Sequence, residues 1–162
     1  MKFTWCLILL AVLTGGCLKK DNGCSYSQSN TVAPASEEQM IKDYLTANSI
    51  SATKHSSNMY YQIIDQGSGG SPDLCSQIVI SYTGRLKSGE VFDQSTNAVF
   101  VLGSLIEGWK KGLPLIQKGG TIKLYIPPSL GYGNRDIMDD NHNVIIPANS
   151  MLIFDITLTN FQ

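Results

Sequence analysis

The sequence predicts an α+β fold, an antiparallel sheet with one short helix packed on it. Three observations predict it. Apolar residues recur with the period of a strand in several stretches. Ile78, Ile80 and Tyr82 alternate with Val79, Ser81 and Thr83, while Ile122, Leu124 and Ile126 alternate with Thr121, Lys123 and Tyr125. Leu152, Phe154, Ile156 and Leu158 share one face of a final long strand over residues 151–160. Lys87-Ser88-Gly89-Glu90 reads as a hairpin turn, with Gly placed for positive φ. Between strands, residues 105–116 form the one compact helical stretch, and Pro114 limits its run. At 162 residues and 43% hydrophobic, the chain suffices for one domain with a real core.

The elements follow in order. Residues 3–13 are an apolar run behind a single Lys2, closed by Gly15-Gly16-Cys17. The run is too short to span a membrane and has the flanks of an export signal, so residues 1–16 are expected to be a signal peptide. The small-small-Cys ending resembles a bacterial lipobox, which implies lipidation at Cys17. Thr14 departs from that pattern where Leu is commonest, and Leu18 after Cys17 resembles outer-membrane retention. The implied location is the cell envelope, lipid-anchored at the outer membrane of a Gram-negative bacterium. Residues 17–35, poor in apolar side chains and rich in Ser, Asn and Gln, are expected to be a flexible tether.

Residues 36–57 read as a helix and linker. Ser36 with Gln39 makes a capping-box pattern, Glu37 and Glu38 sit in the first turn, and the helix should fade near Asn48. Met40, Ile41, Tyr44 and Leu45 share one face, which would pack on the domain or on a second copy, a homodimer. Residues 58–162 form the main domain. It starts with a strand over 58–64, closed by the turn Gly67-Ser68-Gly69-Gly70-Ser71-Pro72. No Lys-Ser/Thr or helix follows that turn, so it is no phosphate loop. Residues 98–102 read as a short strand. His55 reads as a surface linker residue and His142 as solvent-facing.

Charge narrows the function. The 12 basic and 13 acidic residues leave a net charge of −1 with no charged block. That argues against a nucleic-acid partner. Two scattered His and two isolated Cys lack metal-ligand spacing. Asp139-Asp140-Asn141-His142-Asn143 faintly resembles a calcium loop but lacks its Gly and late Glu, and reads as a polar turn. With Cys6 in the signal and Cys17 lipidated, Cys24 and Cys75 remain in an oxidising place and are expected to pair. Two unpaired thiols are the alternative.

The order of the remaining pieces is distinctive. Val79-Ile80-Ser81-Tyr82-Thr83-Gly84 precedes Gly89-Glu90-Val91-Phe92-Asp93. Phe100-Val101-Leu102-Gly103, Ile106-Glu107-Gly108-Trp109 and Lys118-Gly119-Gly120 follow. Ile126-Pro127-Pro128, Leu130-Gly131-Tyr132-Gly133, Ile145-Ile146-Pro147 and Leu152-Ile153-Phe154-Asp155 complete the series. It closely resembles FKBP-type peptidyl-prolyl cis-trans isomerases over residues 73–162. The resemblance implies an FKBP-like half-barrel sheet wrapped around the short helix, preceded by the N-terminal helical extension.

It also implies a pocket between sheet and helix. Trp109 would be the floor, with Tyr82, Phe92, Ile106, Tyr132, Ile146 and Phe154 as walls. Leu105 and Ile106 would bind a ligand carbonyl through the backbone. Tyr132 would offer its hydroxyl to a peptide carbonyl, and Asp93 would sit close to Tyr82. Tyr82, Phe92, Asp93, Tyr132 and Phe154 are thus the implied catalytic set. Leu105, Ile106, Trp109, Ile145 and Ile146 are the implied substrate-binding set. The implied partners are proline-containing unfolded or extended polypeptides, and no cofactor or metal is implied. Read from the residues alone, the same aromatics would be core. The stretch 93–100 is shorter than in small family members, Ala98 replaces an aromatic wall, and the loop 133–144 is longer. A weakly active or inactive FKBP-like module that holds clients as a chaperone does is therefore the alternative function.

Overall fold

The computed structural model describes residues 23–162, so the signal segment, Cys17 and the first tether residues lie outside the described part. A six-stranded antiparallel sheet has the order β1-β2-β5-β8-β3-β4, and a separate hairpin pairs β6 with β7. Its long strands are β2 (Tyr60–Asp65), β3 (Gln77–Leu86), β4 (Val91–Val101), β5 (Thr121–Ile126) and β8 (Leu152–Phe161). The short ones are β1 (Thr53–Lys54), β6 (Ile137–Met138) and β7 (Val144–Ile146). Helix α1 spans Ala35–Ala47, and α2 spans Glu107–Gly112.

Alternation decides which residues meet α2. Ile122, Leu124, Ile126, Phe154, Ile156 and Leu158 are buried on the sheet's inner face against Trp109, Leu113 and Ile116. Two glycines a helical turn apart allow the close approach. A Cβ at Gly108 would run into Ile126, and one at Gly112 into Leu124. The helical stretch is shorter than expected, because after Gly112 it tightens into a 3-10 turn at Leu113–Leu115 containing Pro114.

Helix α1 packs on the other face. Ile41 (0% exposed) and Leu45 form a second cluster with Tyr60, Tyr125, Met151 and Ile153. The face foreseen for the domain or a second copy is thus buried against this chain's own sheet. The capping box does not form. The helix begins two residues earlier, at Ala35 behind Pro34, without a side-chain cap, which puts Ser36 inside the first turn. Proline's fixed φ, here −56°, sets the entry, and the Glu37 and Glu38 amides bond the Pro34 carbonyl instead.

Glu38 pins α1 to the sheet. Its carboxylate accepts from Tyr60 Oη at 3.1 Å and pairs with Lys42 and Lys54 at 2.9 Å each. The two ammonium hydrogen bonds, helped by Tyr60, hold the carboxyl down at about 2 against an ordinary 4.5. A carboxyl lowered by folding stabilises above its unfolded pKa. That contribution is lost as pH falls from about 4.5 through about 2. Glu38→Gln is expected to flatten the stability-against-pH curve in that window, read from denaturant midpoints. An unchanged acid slope would contradict the role.

Four expectations need correction. Residues 24–34 are a docked strap, not a free tether. Cys24 is disulfide-bonded to Cys75 with Cα atoms 5.7 Å apart. Ala33 is 2% exposed, bonds the Ser57 carbonyl through its N–H, and accepts from Asn58 Nδ2. The short strand at 98–102 is the end of the eleven-residue β4, whose pairing with β3 shifts register near Ser81 and near Gly84. Those irregularities break the period and hid the strand from pattern reading. The loop 133–144 contains the β6–β7 hairpin, whose polar turn is organised by Asp139 accepting from the Asn141 and Asn143 amides. His55 is half-buried, bonded to Ser57 Oγ at 2.8 Å. Burial, then the Lys111 charge, lowers its pKa.

Candidate functional site

The cavity lies where β3, β4 and β8 face the N-terminal end of α2. It holds about 230 Å³ and is lined by Tyr82, Asp93, Phe100, Leu105, Ile106, Trp109, Tyr132 and Phe154. Its position follows from local sequence. Strand parity aims Tyr82 and Phe154 inward, and Gly108 lets α2 sink toward the sheet so that the next residue, Trp109, forms the base.

The aromatic rings lock one another edge to face around the indole. Trp109 stands 5.0 Å from Phe154 at 87° and 5.2 Å from Tyr82 at 77°. Phe100 completes the ring of contacts at 6.5 Å and 74°. Such pairs are worth about 0.5–1.5 kcal/mol each beyond burial. They also leave few rotamer choices, so the walls are set before anything binds. The buried Trp109 indole N–H meets no acceptor among the described residues. An unmade bond of this kind costs about 1–3 kcal/mol.

Polar groups sit at the mouth. Tyr82 Oη donates to Asp93 Oδ2 at 2.7 Å. Burial, and then that bond, pushes the Tyr82 phenol well above its ordinary range. Burial, and then the Asp93 charge, raises Tyr132. Both phenols therefore remain protonated donors at neutral pH. Among the described residues no protein acceptor takes the Tyr132 hydroxyl. Ile106 is extended (φ −60°, ψ 152°), and its carbonyl caps α2 by accepting from the Trp109 and Lys110 amides. Its N–H is then the polar group left to offer a ligand. The site can enclose a compact apolar ring, with donors at the rim for flanking carbonyls.

The structure brings Tyr82, Asp93, Leu105, Ile106, Trp109, Tyr132 and Phe154 together as lining. It does not bring Phe92, Ile145 or Ile146 to the cavity surface. Phe92 packs edge to face on Phe154, ring to ring at 5.5 Å and 88°, and is partly buried against the core. Ile146 pairs with Ile137 in the β6–β7 hairpin and is 2% exposed, so it is core, with Ile145 packed beside it. Phe100 was missed as a wall. Its motif was legible, but nothing in strand periodicity says that it faces the indole.

Residues 69–159 match the family described as FKBP-type peptidyl-prolyl cis-trans isomerase. The chain is 39% identical over 111 residues to the FKBP-type peptidyl-prolyl cis-trans isomerase FkpA of Escherichia coli K12, covering 66% of this chain and 39% of that protein. It is 32% identical over 139 residues to a probable FKBP-type peptidyl-prolyl cis-trans isomerase of Haemophilus influenzae, covering 82% of this chain and 55% of that one. The chain thus spans roughly two-fifths to half of these relatives. The crystal structure of E. coli FkpA superposes with a TM-score of 0.67 at 34% identity, covering 79% of this chain and 60% of that one. A peptidyl-prolyl cis-trans isomerase structure from Pseudomonas syringae pv. tomato gives 0.67 at 26% identity, covering 82% of this chain and 98% of that one.

Proposed function

The chain belongs to the FKBP-type peptidyl-prolyl cis-trans isomerase family, and on that premise we propose that it accelerates X–Pro bond rotation in unfolded or extended polypeptides of the cell envelope. The observation that carries this reading is the aromatic-lined cavity with the Tyr82–Asp93 pair and the Tyr132 hydroxyl at its mouth. Amide resonance sets a barrier of about 18–20 kcal/mol. Proline is the substrate because its cis and trans forms lie within about 1 kcal/mol.

At a right-angle twist the resonance is lost and the carbonyl oxygen carries less negative charge. A dry apolar cavity holds that less polar state better, relative to the planar amide, than water does. Catalysis is then preferential binding of the twisted form, with no covalent step. In this reading Trp109, Phe154 and Phe100 enclose the prolyl ring. The Ile106 N–H and the Tyr132 hydroxyl hold flanking carbonyls, and Asp93 fixes the Tyr82 phenol at the mouth. Phe92, Ile145 and Ile146 act by packing behind the walls.

The assay is isomerisation of a short cis-proline peptide by the full chain. Tyr132→Phe and Asp93→Ala are each expected to lower kcat/KM about tenfold or more, ~1.4 kcal/mol per decade, with melting nearly unchanged. Full activity in both variants would remove the mechanism.

The proposed setting is extracytoplasmic, with a lipid on Cys17 anchoring the chain to the outer membrane. The apolar run 3–13 before Gly15-Gly16-Cys17 supports export, and so does the Cys24–Cys75 disulfide. Mass measurement of protein from its native host checks it, since an unmodified Cys17 thiol would refute lipidation. A homodimer through α1 would have to use its exposed residues, such as Gln39, Asp43 and Ala47, because Ile41 and Leu45 are buried on the sheet with Met40 packed beside them.

A further inference from the structure

We propose that residues 24–47, which lie outside the family-matched region, are a clamp that sets the pocket from behind, with Tyr26 and Glu37 as its positioning residues. The inference rests on the reading of the cavity as the isomerase pocket. Three separate contacts carry it, and each falls within three residues of a lining residue in sequence.

The first backs Leu105 and Ile106. The Tyr26 ring lies against Gly103 so closely that a Cβ there would run into it. Gly103 belongs to the 3-10 turn Leu102–Ser104, which leads directly into Leu105 and Ile106. The same turn is tied to the loop carrying Cys75. The Gly103 N–H donates to Leu74 O at 2.7 Å, and the Leu102 N–H to Ser76 O at 3.0 Å. Cys75 in turn holds Cys24, so the strap reaches the turn both through the Tyr26 ring and through the disulfide-linked loop.

The second backs Trp109. Lys111 on α2 is only 7% exposed, and its Nζ donates to the Ser29 carbonyl at 2.6 Å. A buried ammonium needs such a partner. The nearest carboxylate is a poorer one, because Glu107 is bonded by Lys110 at 2.6 Å while Lys111 stands 3.9 Å from its other oxygen.

The third backs Tyr132. Glu37 Oε2 accepts from both the Ser129 amide at 2.9 Å and the Ser129 hydroxyl at 2.8 Å. Ser129 is the middle of the 3-10 turn Pro128–Leu130, whose Pro128 carbonyl accepts from the amides of Gly131 and Gly133. Those two glycines flank Tyr132. Displacements of about 1 Å in a preorganised site can cost up to about a hundredfold in rate. Supports behind the walls therefore reach the chemistry without touching substrate.

The test compares two double variants of the full chain, Tyr26→Ala with Glu37→Ala, and Tyr26→Phe with Glu37→Gln. Gln keeps an amide oxygen that can accept both Ser129 bonds, and Phe keeps the ring on Gly103. Cis-proline peptide kinetics are read beside the NMR signals of the Trp109 indole N–H and the Tyr132 ring. The alanine pair is expected to lower kcat/KM about tenfold and to shift both signals while circular dichroism stays native. The Phe/Gln pair is expected to match wild type in both. An alanine pair with wild-type kinetics and signals overturns the clamp. So does a Phe/Gln pair as impaired as the alanine pair. If the alanine pair does not fold, Tyr26→Ala alone decides by the same readouts, since that ring is 45% exposed. Wild-type protein without isomerase activity would sink the isomerase reading instead, and the two NMR signals would still decide the clamp.

Discussion

Trp109→Ala is expected to lose both the site and much of the stability, about 3–5 kcal/mol by large-to-small substitution in a packed interior. The indole is 4% exposed and is the common neighbour of Tyr82, Phe100 and Phe154. Removing it opens the 230 Å³ cavity downward into the space between α2 and the sheet. The remaining rings lose the edge-to-face contacts that fix them, and water gains entry. Isomerase activity should fall at least about a hundredfold, ~2.7 kcal/mol, because the twisted amide no longer meets a dry enclosure. Denaturant melts and cis-proline peptide kinetics on the same sample read the two losses. A folded variant with near-wild-type activity would contradict the role of the floor.

Removing the disulfide, by Cys24→Ser with Cys75→Ser, is expected to cost up to about 4 kcal/mol in the chain-entropy model. The bridge closes a loop with a sequence separation of 51, and it reaches outside the core sheet. Most of its effect should therefore be on the unfolded chain. The denaturant midpoint should fall, with the spectroscopic signature of the folded sheet retained. A midpoint unchanged on removing both thiols would show that the strap is held by its packing alone. The same result would weaken the assignment to an oxidising compartment, since the bridge is one of its two supports.

The long strands were legible because the face turned to α2 is uniformly apolar, while the other face is mixed, polar except where α1 covers Tyr125 and Ile153. Residues 78–82, 122–126 and 152–158 lie in β3, β5 and β8 with the inward parity expected of them. The pocket aromatics were legible only through the order of the motifs. By composition and parity Tyr82 and Phe154 are indistinguishable from core. What was not legible has a common cause. The strap is held by one ring on a glycine and one buried lysine on a backbone carbonyl, and neither leaves a periodic signal, whereas its disulfide was legible from the cysteine count. The missing cap of α1 is similar. Ser36 and Gln39 have the capping spacing, yet Pro34 already fixes the entry two residues earlier. Phe92, Ile145 and Ile146 were placed in the site, whereas the residues lining the cavity do not include them: Phe92 packs on Phe154, and Ile146 is buried in the β6–β7 hairpin. Proximity in a motif does not say which of two adjacent side chains faces the space.

The proposed role of the cavity is to lower the barrier to prolyl rotation. The most direct measurement is the refolding of a client whose slow phase is limited by proline isomerisation, a step of tens of seconds or longer at 25 °C, in the presence of the full chain. The slow phase is expected to accelerate in proportion to protein added, and Trp109→Ala to abolish the effect. A slow phase that keeps its rate while aggregation is suppressed would contradict that role, and would assign the cavity to holding clients instead of turning their proline bonds.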